Sequence, residues 1–448
     1  MFKQPSIFYI QATLLAICLY ACSNSNGIDY TGRENTAENW ISDEEASTPS
    51  SKKDYLPIDD TEYPYAGIPR LVIETENFRQ ILDRETEIPA KLQIWGEKTP
   101  ESEIMDLTIR GRGNTSWGMP KKSYKIEFIK KQSMLGMPHD RDWALISNYA
   151  DKTLMKNFLA YHLSASLNAN YTPRCSFVEL FLNNKYLGVY LLTETVKISN
   201  ERVNIPKNDD SFLVEFDKKI RDNEQKLTSN ILSTDSIGKI FRVHSPKNAS
   251  QQALHTIETH IYDFEMYLKG LQDNNNHNIE NWIDLNEYIK FYWVQEFSKN
   301  PDACFYTSVY FTWQKNSTIK MGPVWDFDIA FGGHNDTNII DPKGWFIKKC
   351  YWNRFVYKDS IATNTRLKFW TSNRLLFAHT PNIIDSVYET LKFAGKNNFK
   401  RWNILESTAY TFHQKSFTSY SDAVQDLKNW VIQRLEWIQS DNDLQHSN

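Results

Sequence analysis

Hydrophobic and polar residues alternate along much of the chain between residues 67 and 245, and this alternation predicts β-strands. The stretch SYKIEF has an apolar residue at every second position, which is typical of a half-buried strand. In FVELFLNNKYLGVYLLTE, two apolar runs flank Asn183 and Asn184, which tolerate positive φ, so we predict a hairpin. SFLVEFD and KIFRVH predict further strands. One helix is expected in DKTLMKNFLAYHLSASL, with Asp151 as its N-cap.

The apolar spacing changes to a helical period in the second half of the chain. QQALHTIETHIYDFEMYLKGL, NEYIKFYWVQEFSKN and AVQDLKNWVIQRLEWIQ predict helices, and SVYFTWQKNSTIKMGPVW predicts a short hairpin after the second of them. A strand-rich half followed by a helix-rich half indicates an α+β fold with two lobes, residues 67–245 and 246–448. A cleft between two such lobes is the default place for a ligand.

The first residues have the layout of a bacterial secretion signal. One lysine precedes a short apolar stretch, and Cys22 follows the sequence LYA, which resembles a lipobox. We therefore expect residues 1–21 to be removed and Cys22 to carry a lipid that anchors the protein in the bacterial cell envelope, at the outer membrane. An uncleaved membrane anchor is the alternative. Residues 22–66 are rich in Ser, Asn, Asp, Glu and Pro, which predicts a disordered tether.

Charge and cysteine content narrow the class of partner. The formal net charge is −4, which does not suggest nucleic acid as a general partner, because phosphate backbones call for a basic face. Beyond the signal, Cys175, Cys304 and Cys350 are too widely spaced for a zinc knuckle or a disulfide framework. One disulfide with one spare thiol is an option, but we expect all three to be small core residues.

The stretch TIRGRGNTSWGMPKKSYKIEF joins two predicted strands through a loop rich in glycines and cations. Glycines let backbone N–H groups approach an anion, and Arg and Lys side chains neutralise it, so the loop has the features of a phosphate cradle. A basic hairpin exposed to solvent explains the same residues equally well. The candidates for ligand contact here are Arg112, Asn114, Lys121, Lys122 and Lys125.

Four acidic residues stand at positions where a reaction could use them. Asp302 follows a predicted helix and precedes a strand, where an aspartate can accept a hydroxyl proton or orient a nucleophile. Asp326 and Asp328 lie two apart in GPVWDFDIAFGG, so an extended chain places both carboxylates on one side, where they can hold a hard cation. Glu194 ends a predicted strand and is a candidate partner for a lysine. Taken singly, each is also explained as a turn or surface residue.

Four motifs in this order resemble the CotH kinases, a family named after a spore-coat protein. They are RGRGNTSWGMPKKSYKIEF, NNKYLGVYLLTETV, NWIDLNEYIKFYWVQEFSKNPDA and PVWDFDIAFGG, and the resemblance spans about residues 69–333. It implies an atypical two-lobed protein-kinase-like fold that uses ATP with Mg²⁺ or Mn²⁺. It also implies transfer of phosphate to Ser or Thr hydroxyls of an extracytoplasmic protein.

The resemblance also implies a role for each acidic loop. Asp302 is the expected catalytic aspartate, and Asp326 is the expected metal aspartate, with Asp328 as an additional candidate. Protein kinases carry an Asn five residues after the catalytic Asp as a second metal ligand, but this chain has Thr307 there, followed by Ser308. A hydroxyl binds a metal less strongly, so the second metal site is in doubt.

The remaining roles concern the phosphates. Lys122 is the first choice for the phosphate-binding lysine because it shares a strand face with apolar residues, and Lys121 and Lys125 are the alternatives. Glu194 is expected to pair with that lysine, and FLVEFD to lie near the adenine. The residues expected beside the phosphates are Arg112 and Asn114.

Two other functions stay open at the level of sequence. One is a kinase-like binding module without turnover, which would hold a surface protein or a glycan. The other is transfer of AMP, rather than phosphate, from the same nucleotide to a hydroxyl.

Overall fold

The computed structural model describes residues 55–218, 224–233, 238–270, 278–408 and 415–441. The predicted signal, residues 1–21, and the lipidation candidate Cys22 therefore lie outside the described residues. Of the helices within these ranges, none combines the length and the hydropathy that a membrane span requires.

Seven strands from the first half of the chain close into a barrel in the order β1-β2-β3-β4-β5-β7-β6. Neighbouring strands are antiparallel except where the barrel closes: β1 runs parallel to β6, from Arg70 opposite Glu179 to Ile73 opposite Leu182. The strands are β1 (Arg70–Thr75), β2 (Ile88–Trp95), β3 (Met105–Arg112), β4 (Ser123–Gln132), β5 (Asp140–Ile146), β6 (Cys175–Leu182) and β7 (Lys185–Glu194).

The alternating pattern explains how these strands pack. In β4, Tyr124, Ile126 and Phe128 are buried in the core cluster that fills the barrel, as the alternation predicts. The hairpin between β6 and β7 is also confirmed, because Asn183 and Asn184 both have positive φ, 51° and 59°. Sequence alternation thus gives the correct buried face of β4.

A second sheet of five strands has the order β12-β11-β8-β10-β9. Its central strand β8 pairs with β10 on one side and with β11, from later in the chain, on the other. The sheet therefore combines strands from both sides of residue 245, the predicted lobe boundary. The strands are β8 (Ser211–Phe216), β9 (Lys226–Ser229), β10 (Lys239–Ser245), β11 (Val309–Gln314) and β12 (Lys320–Met321).

The α+β class is confirmed, with a sheet-rich first part and a helical second part, but a closed seven-stranded barrel is not the usual lobe of a protein kinase. The predicted two-lobed architecture is wrong in this respect. The helices within the described ranges are α1 (Lys156–Ser166), α2 (Gln251–Gly270), α3 (Leu285–Ser298), α4 (Thr337–Ile340), α5 (Tyr351–Val356), α6 (Ser360–Ala378), α7 (Thr380–Arg401) and α8 (Tyr420–Ser440).

The start of α1 differs from the prediction. Asp151 is not the N-cap, since the helix begins at Lys156 and Met155 holds the cap position. Asp151 still stabilises this end of the helix, because its Oδ2 accepts a hydrogen bond from the Lys156 N–H at 2.9 Å and its Oδ1 accepts from the Thr153 N–H at 2.9 Å.

The end of the predicted tether is packed rather than disordered. Leu56 is buried against Trp95 and Phe181 on the outside of the barrel, and its N–H donates to the Gln93 side chain at 2.8 Å. Residues 55–66 therefore belong to the folded body. The first part of the predicted tether, residues 22–54, lies outside the described residues.

The three cysteines pack in or against the core, as expected, but two of them form the disulfide that was the alternative. Cys304 and Cys350 form a disulfide, with their Cα atoms 5.0 Å apart. Cys175 stays a free, half-buried thiol, and burial raises its pKa to about 12. Forty-six residues separate the bonded pair, so sequence spacing gave no signal for it.

Candidate active site

A cleft with a volume of about 1190 Å³ lies between the barrel and the five-stranded sheet. Its walls are the loop after β3, the outward face of β4, one face of β8 and β10, and the two loops that carry the predicted aspartates. It brings together segments that are far apart in the sequence. The predicted site residues that line it are Arg112, Asn114, Lys125, Asp302, Asp326 and Asp328.

The Asp-Phe-Asp loop, residues 322–333, follows strand β12. Phe327 is fully buried at 0% exposure, and its carbonyl accepts a hydrogen bond from the Ala330 N–H at 3.1 Å. Asp326 and Asp328 both line the cleft, as expected, but not because the chain is extended. Asp326 has a φ of 63°, in the left-handed region that non-glycine residues rarely adopt. The loop thus holds one acid in a strained backbone conformation.

Burial raises the pKa of both carboxyl groups in this loop. For Asp328, repulsion from the Asp326 carboxylate adds to the effect of burial, and the pKa rises to about 7. For Asp326, burial raises the pKa, while the Arg112 guanidinium and the Ser308 hydroxyl, 3.4 Å from Oδ2, act against it. Two half-buried acids that repel each other gain from a shared cation.

Arg112 brings positive charge from the barrel to this loop. It is the last residue of β3, and its guanidinium lies 5.3 Å from the centroid of the Trp325 ring, beside Asp326. Burial lowers the pKa of Arg112, but the Asp326 carboxylate opposes that change. An arginine remains charged in such surroundings, so Arg112 can neutralise either the two half-buried acids or an incoming anion.

The glycine loop, residues 113–118, connects β3 to β4 over the cleft. Gly113 has a φ of 100°, and a Cβ on it would collide with the Ser116 hydroxyl, so glycine is required. The Arg84 guanidinium fixes the loop by donating to the Gly113 carbonyl at 2.7 Å and to the Asn114 side chain at 3.3 Å. Asn114 is exposed at the rim, where a ligand can reach it.

The Asp302 loop, residues 299–308, begins where α3 ends. Lys299 has a left-handed φ of 47°, and its ammonium group donates to the carbonyls of Asn338, Asp341 and Lys343. Burial lowers the pKa of Lys299 to about 8. This buried lysine fixes the C-terminal end of α3, from which the chain continues to Asp302.

Asp302 itself is half-buried and lines the cleft. Its carbonyl accepts hydrogen bonds from the Tyr306 N–H at 3.0 Å and the Thr307 N–H at 3.4 Å, which close the loop into a turn. The disulfide from Cys304 to Cys350 ties the same turn to the start of α5. The Asp302 backbone is therefore fixed by both hydrogen bonds and a covalent bond.

The two hydroxyls proposed in place of the kinase asparagine behave differently. Thr307 donates to the Asp217 carboxylate at 3.3 Å, away from the Asp-Phe-Asp loop. Ser308 contacts Asp326, so of the two it is the better placed to share a ligand with that acid.

Of the three lysines considered from the sequence, Lys125 is the one that lines the cleft. In β4 the even positions 124, 126 and 128 fill the barrel, so the odd positions 123, 125 and 127 face outward into the cleft. Burial acts against the charged form of Lys125, but hydrogen bonds to Asp142 at 2.8 Å and Glu127 at 2.9 Å outweigh it and raise its pKa.

The first choice, Lys122, does not line the cleft, and neither does Lys121, so Lys125 becomes the candidate that the geometry favours for the predicted phosphate contact. The Lys122 ammonium donates to the Trp117 carbonyl at 2.6 Å, outside the cleft lining. Lys121 is buried between the barrel and α7, where it donates to the Asn398 side chain at 2.9 Å. Burial lowers its pKa well below the usual value. Lys122 was preferred because it shares a strand face with apolar residues. That face points into the barrel interior rather than into the cleft.

Glu194 does not pair with any of these lysines. It is fully buried and bonds to Arg174, with 2.8 Å between Nη2 and Oε1, and Arg202 lies 3.7 Å away. Lys197, three residues further on, lines the cleft and forms an ion pair with Asp140 at 3.0 Å. The sequence predicted that Glu194 lies at the site, but the nearby Lys197 is the residue that lines the cleft.

The floor of the cleft is a face of the five-stranded sheet that carries paired charges. Glu215 lies 2.6 Å from His244 and 3.5 Å from Arg242, while Asp217 lies 4.0 Å from Arg242. Glu215 and Asp217 of FLVEFD therefore line the cleft, and the place of this strand near an adenine stays a prediction.

Two functional candidates were missed by sequence reasoning. Asn157, in the first turn of α1, lines the cleft and contacts Asp328, and Asn300 precedes Asp302 by two residues and contacts Asp326. The available signal was weak, because a polar amide in a helix or next to a proline has many ordinary explanations.

The described residues contain no group of three or more His, Cys, Asp or Glu side chains that would hold a metal ion by themselves. Mg²⁺ keeps several of its waters and is usually bound by one or two carboxylates together with substrate phosphates. Asp326 and Asp328 offer two such carboxylates, and burial disfavours their charge without a cation. The residues present therefore fit a divalent cation that enters with a phosphate ligand.

A family model described as "CotH kinase protein" matches residues 109–438, which include the glycine loop, both aspartate loops and most of α8. No curated protein sequence matches the chain.

Proposed function

Because the chain belongs to the CotH kinase family, we propose that it transfers the γ-phosphoryl group of ATP to Ser or Thr hydroxyls of proteins outside the cytoplasm. The family match covers most of the chain and supports a kinase-like enzyme. The substrate class, the nucleotide and the cellular location are the parts that this proposal adds.

One observation carries the proposal. One cleft brings together Arg112 and Lys125 from the barrel and three half-buried acids, Asp302, Asp326 and Asp328. Phosphoryl transfer needs this combination, since catalysis depends on positioning and on neutralising charge around the transferring group.

In this proposal Asp302 accepts a hydrogen bond from the attacking Ser or Thr hydroxyl and takes its proton as the oxygen bonds to phosphorus. The bond from the γ-phosphorus to the bridging oxygen breaks, and ADP leaves with that oxygen. Hydrogen bonds and the disulfide hold the Asp302 backbone, which keeps the carboxylate at a fixed position.

Asp326 and Asp328 would hold the divalent cation, which would neutralise negative charge on the phosphates. Arg112, Asn114 and the N–H groups of the glycine loop would contact the phosphate oxygens. Lys125 would take the place of the phosphate-binding lysine, with Asp142 and Glu127 orienting its ammonium group instead of Glu194.

We also propose that Cys22 is lipidated and that the enzyme is anchored to the cell envelope. Labelling of the protein with a fatty-acid analogue tests the lipidation. The disulfide between Cys304 and Cys350 supports a location outside the reducing cytoplasm. An envelope fraction that lacks the protein, or a Cys22→Ser variant that still carries lipid, would contradict this part.

The test of the activity is incubation of the purified protein with ATP and Mg²⁺ or Mn²⁺, followed by intact-mass measurement of the enzyme and of candidate envelope proteins. The proposal requires the mass of a phosphoryl group on Ser or Thr. An adenylyl mass would establish AMP transfer instead. Unchanged masses, together with a thermal stability that nucleotide does not alter, would favour the binding module.

A further inference from the structure

Two buried asparagines from different parts of the fold contact the backbone of the Asp-Phe-Asp loop. Asn157 lies in the first turn of α1 and is 2% exposed, and Asn300 follows the end of α3 and is 1% exposed. Buried amides need partners for their donors and acceptors, so their contacts show what holds them in place.

Asn157 contacts the loop with both ends of its amide. Its Oδ1 accepts a hydrogen bond from the Phe327 N–H at 2.8 Å. Its Nδ2 donates to the Asp328 carboxylate and to the Asn148 side chain, the latter at 3.1 Å. Asn148 follows β5 closely, so this contact chain links the barrel to the loop.

Asn300 connects the two aspartate loops. Its Nδ2 donates to the Asp326 carbonyl at 3.1 Å and to the Gln295 side chain at 3.0 Å. Its Oδ1 accepts a hydrogen bond from the Asp302 N–H at 3.3 Å. One amide therefore bonds to the backbone of both predicted key acids.

The Asp326 carbonyl and the Phe327 N–H belong to the same peptide bond, so the two asparagines hold opposite sides of one peptide unit. We infer that Asn157 and Asn300 are positioning residues that clamp this peptide, and thereby hold Asp326 in its left-handed conformation and in register with Asp302. A non-glycine residue persists in that conformation only where its surroundings determine it. The clamp supplies such surroundings.

This inference rests on the proposed phosphoryl transfer for its kinetic consequence, but the clamp itself can be tested without activity. The variants are Asn157→Ala, Asn300→Ala and the double variant. Asn300→Asp is a near-isosteric companion, because it keeps the acceptor for the Asp302 N–H and removes the donor to the Asp326 carbonyl. A matched control is Asn353→Ala, which removes another buried amide, 3% exposed, that accepts from the Tyr288 hydroxyl at 2.8 Å.

The first readout is hydrogen–deuterium exchange of peptides that cover residues 324–331. Loss of one backbone partner should speed exchange of these amides about tenfold, because local opening becomes easier. The control should leave this region unchanged even where it lowers thermal stability. Exchange equal to that of wild type in both single variants and in Asn300→Asp would overturn the clamp.

The second readout is kcat and KM for ATP with Mg²⁺, measured beside thermal stability. Each single variant should lower kcat about 10–100-fold while KM for ATP changes far less, since misplaced acids affect the transition state more than binding. Because both residues hold one peptide, the double variant should lose little more than the worse single variant. The inference would be overturned if the kcat losses of the two single variants multiplied in the double variant. It would also be overturned if kcat fell only in step with thermal stability, as in Asn353→Ala.

The two proposals fail separately. A wild-type protein that transfers no phosphate contradicts the proposed function, whereas the exchange result still decides the clamp. Transfer by wild type together with unaffected exchange and kcat in the asparagine variants rejects the clamp alone.

Discussion

The barrel and the five-stranded sheet meet at the cleft, but they are assembled in different ways and contribute different candidate residues to it. The barrel is built from one continuous run, residues 70–194, and contributes Arg112 and Lys125. The sheet combines β8, β9 and β10 with β11 and β12, which follow α2 and α3 in the chain. The loops beside β11 and β12 contribute the aspartates. In the proposed mechanism, the barrel side would mainly bind phosphate, whereas the aspartate side would mainly perform the chemistry.

The largest effect is expected on the aspartate side. Asp302→Asn should lower kcat by about 10²–10⁴-fold, the range that a positioned proton acceptor contributes. Asp326→Asn should lower kcat by about 10²–10³-fold, the range for the loss of one electrostatic contact that stabilises the transition state. Asparagine has nearly the same shape and tolerates positive φ, so Asp326→Asn should keep the loop backbone. The measurement is phosphate transfer by the purified variants.

Thermal denaturation supplies the control for these two variants. Burial raises the pKa of Asp326, so its charged form opposes folding at neutral pH when no cation is bound. Asp326→Asn should therefore match or exceed the wild-type melting temperature. If a variant lost both activity and stability, its lost activity could not be attributed to the aspartate. Unchanged activity would show that the residue has no role in the mechanism.

The second prediction concerns the disulfide that fixes the aspartate side. Replacing Cys304 and Cys350 together by serine should lower the free energy of unfolding by about 2–4 kcal/mol, because the cross-link no longer restricts the unfolded chain. Urea denaturation measures the change. Cys175→Ser is the matched control, since that thiol forms no cross-link, and a loss as large as that of the double variant would contradict the account.

The third prediction tests the barrel side with two lysines from one segment. Lys125→Met should lower kcat/KM about 10–100-fold, corresponding to one charge-assisted contact with phosphate. Lys121→Met should leave transfer unchanged, because Lys121 contacts Asn398 and the Val189 carbonyl away from the cleft. The comparison is made by steady-state kinetics, and equal losses in the two variants would reject the assignment of Lys125.

The smallest effect is a pH dependence on the barrel side. Burial alone would raise the pKa of Asp142, but hydrogen bonds from Lys125 and Lys197 outweigh it and lower the pKa to about 2. A carboxyl with a lowered folded-state pKa stabilises the fold above its unfolded pKa of 3.8, and this contribution disappears as pH falls towards 2. Asp142→Asn should therefore show a shallower loss of stability between pH 5 and 2, measured by urea titration. Parallel curves for variant and wild type would contradict this.

Sequence reasoning succeeded where neighbouring residues determine the outcome. Alternation gave the buried face of β4, and the Asn183-Asn184 pair gave the hairpin, because both depend on local backbone geometry. Asp302 and Asp326 were found by their order in the chain, and the cleft contains both, although their roles stay predictions.

It failed where the outcome depends on which distant segment packs against a residue. The closure of β1 on β6 turned the apolar face of β4 into a barrel interior, so Lys125 rather than Lys122 faces the cleft. Glu194 pairs with Arg174, and Cys304 is bonded to Cys350, through contacts that no local sequence pattern encodes. The clamp by Asn157 and Asn300 is of the same kind.

The parallel pairing of β1 with β6 also has a consequence for how the chain acquires its structure. Strand β1 is made early, but its second neighbour begins at Cys175, more than a hundred residues later along the chain. A chain that emerges from its N-terminus therefore exposes one unpaired β1 edge until β6 and β7 have followed. Such edges are where strands of other molecules can add, so the interval before closure is the stage at which this protein is most exposed to aggregation.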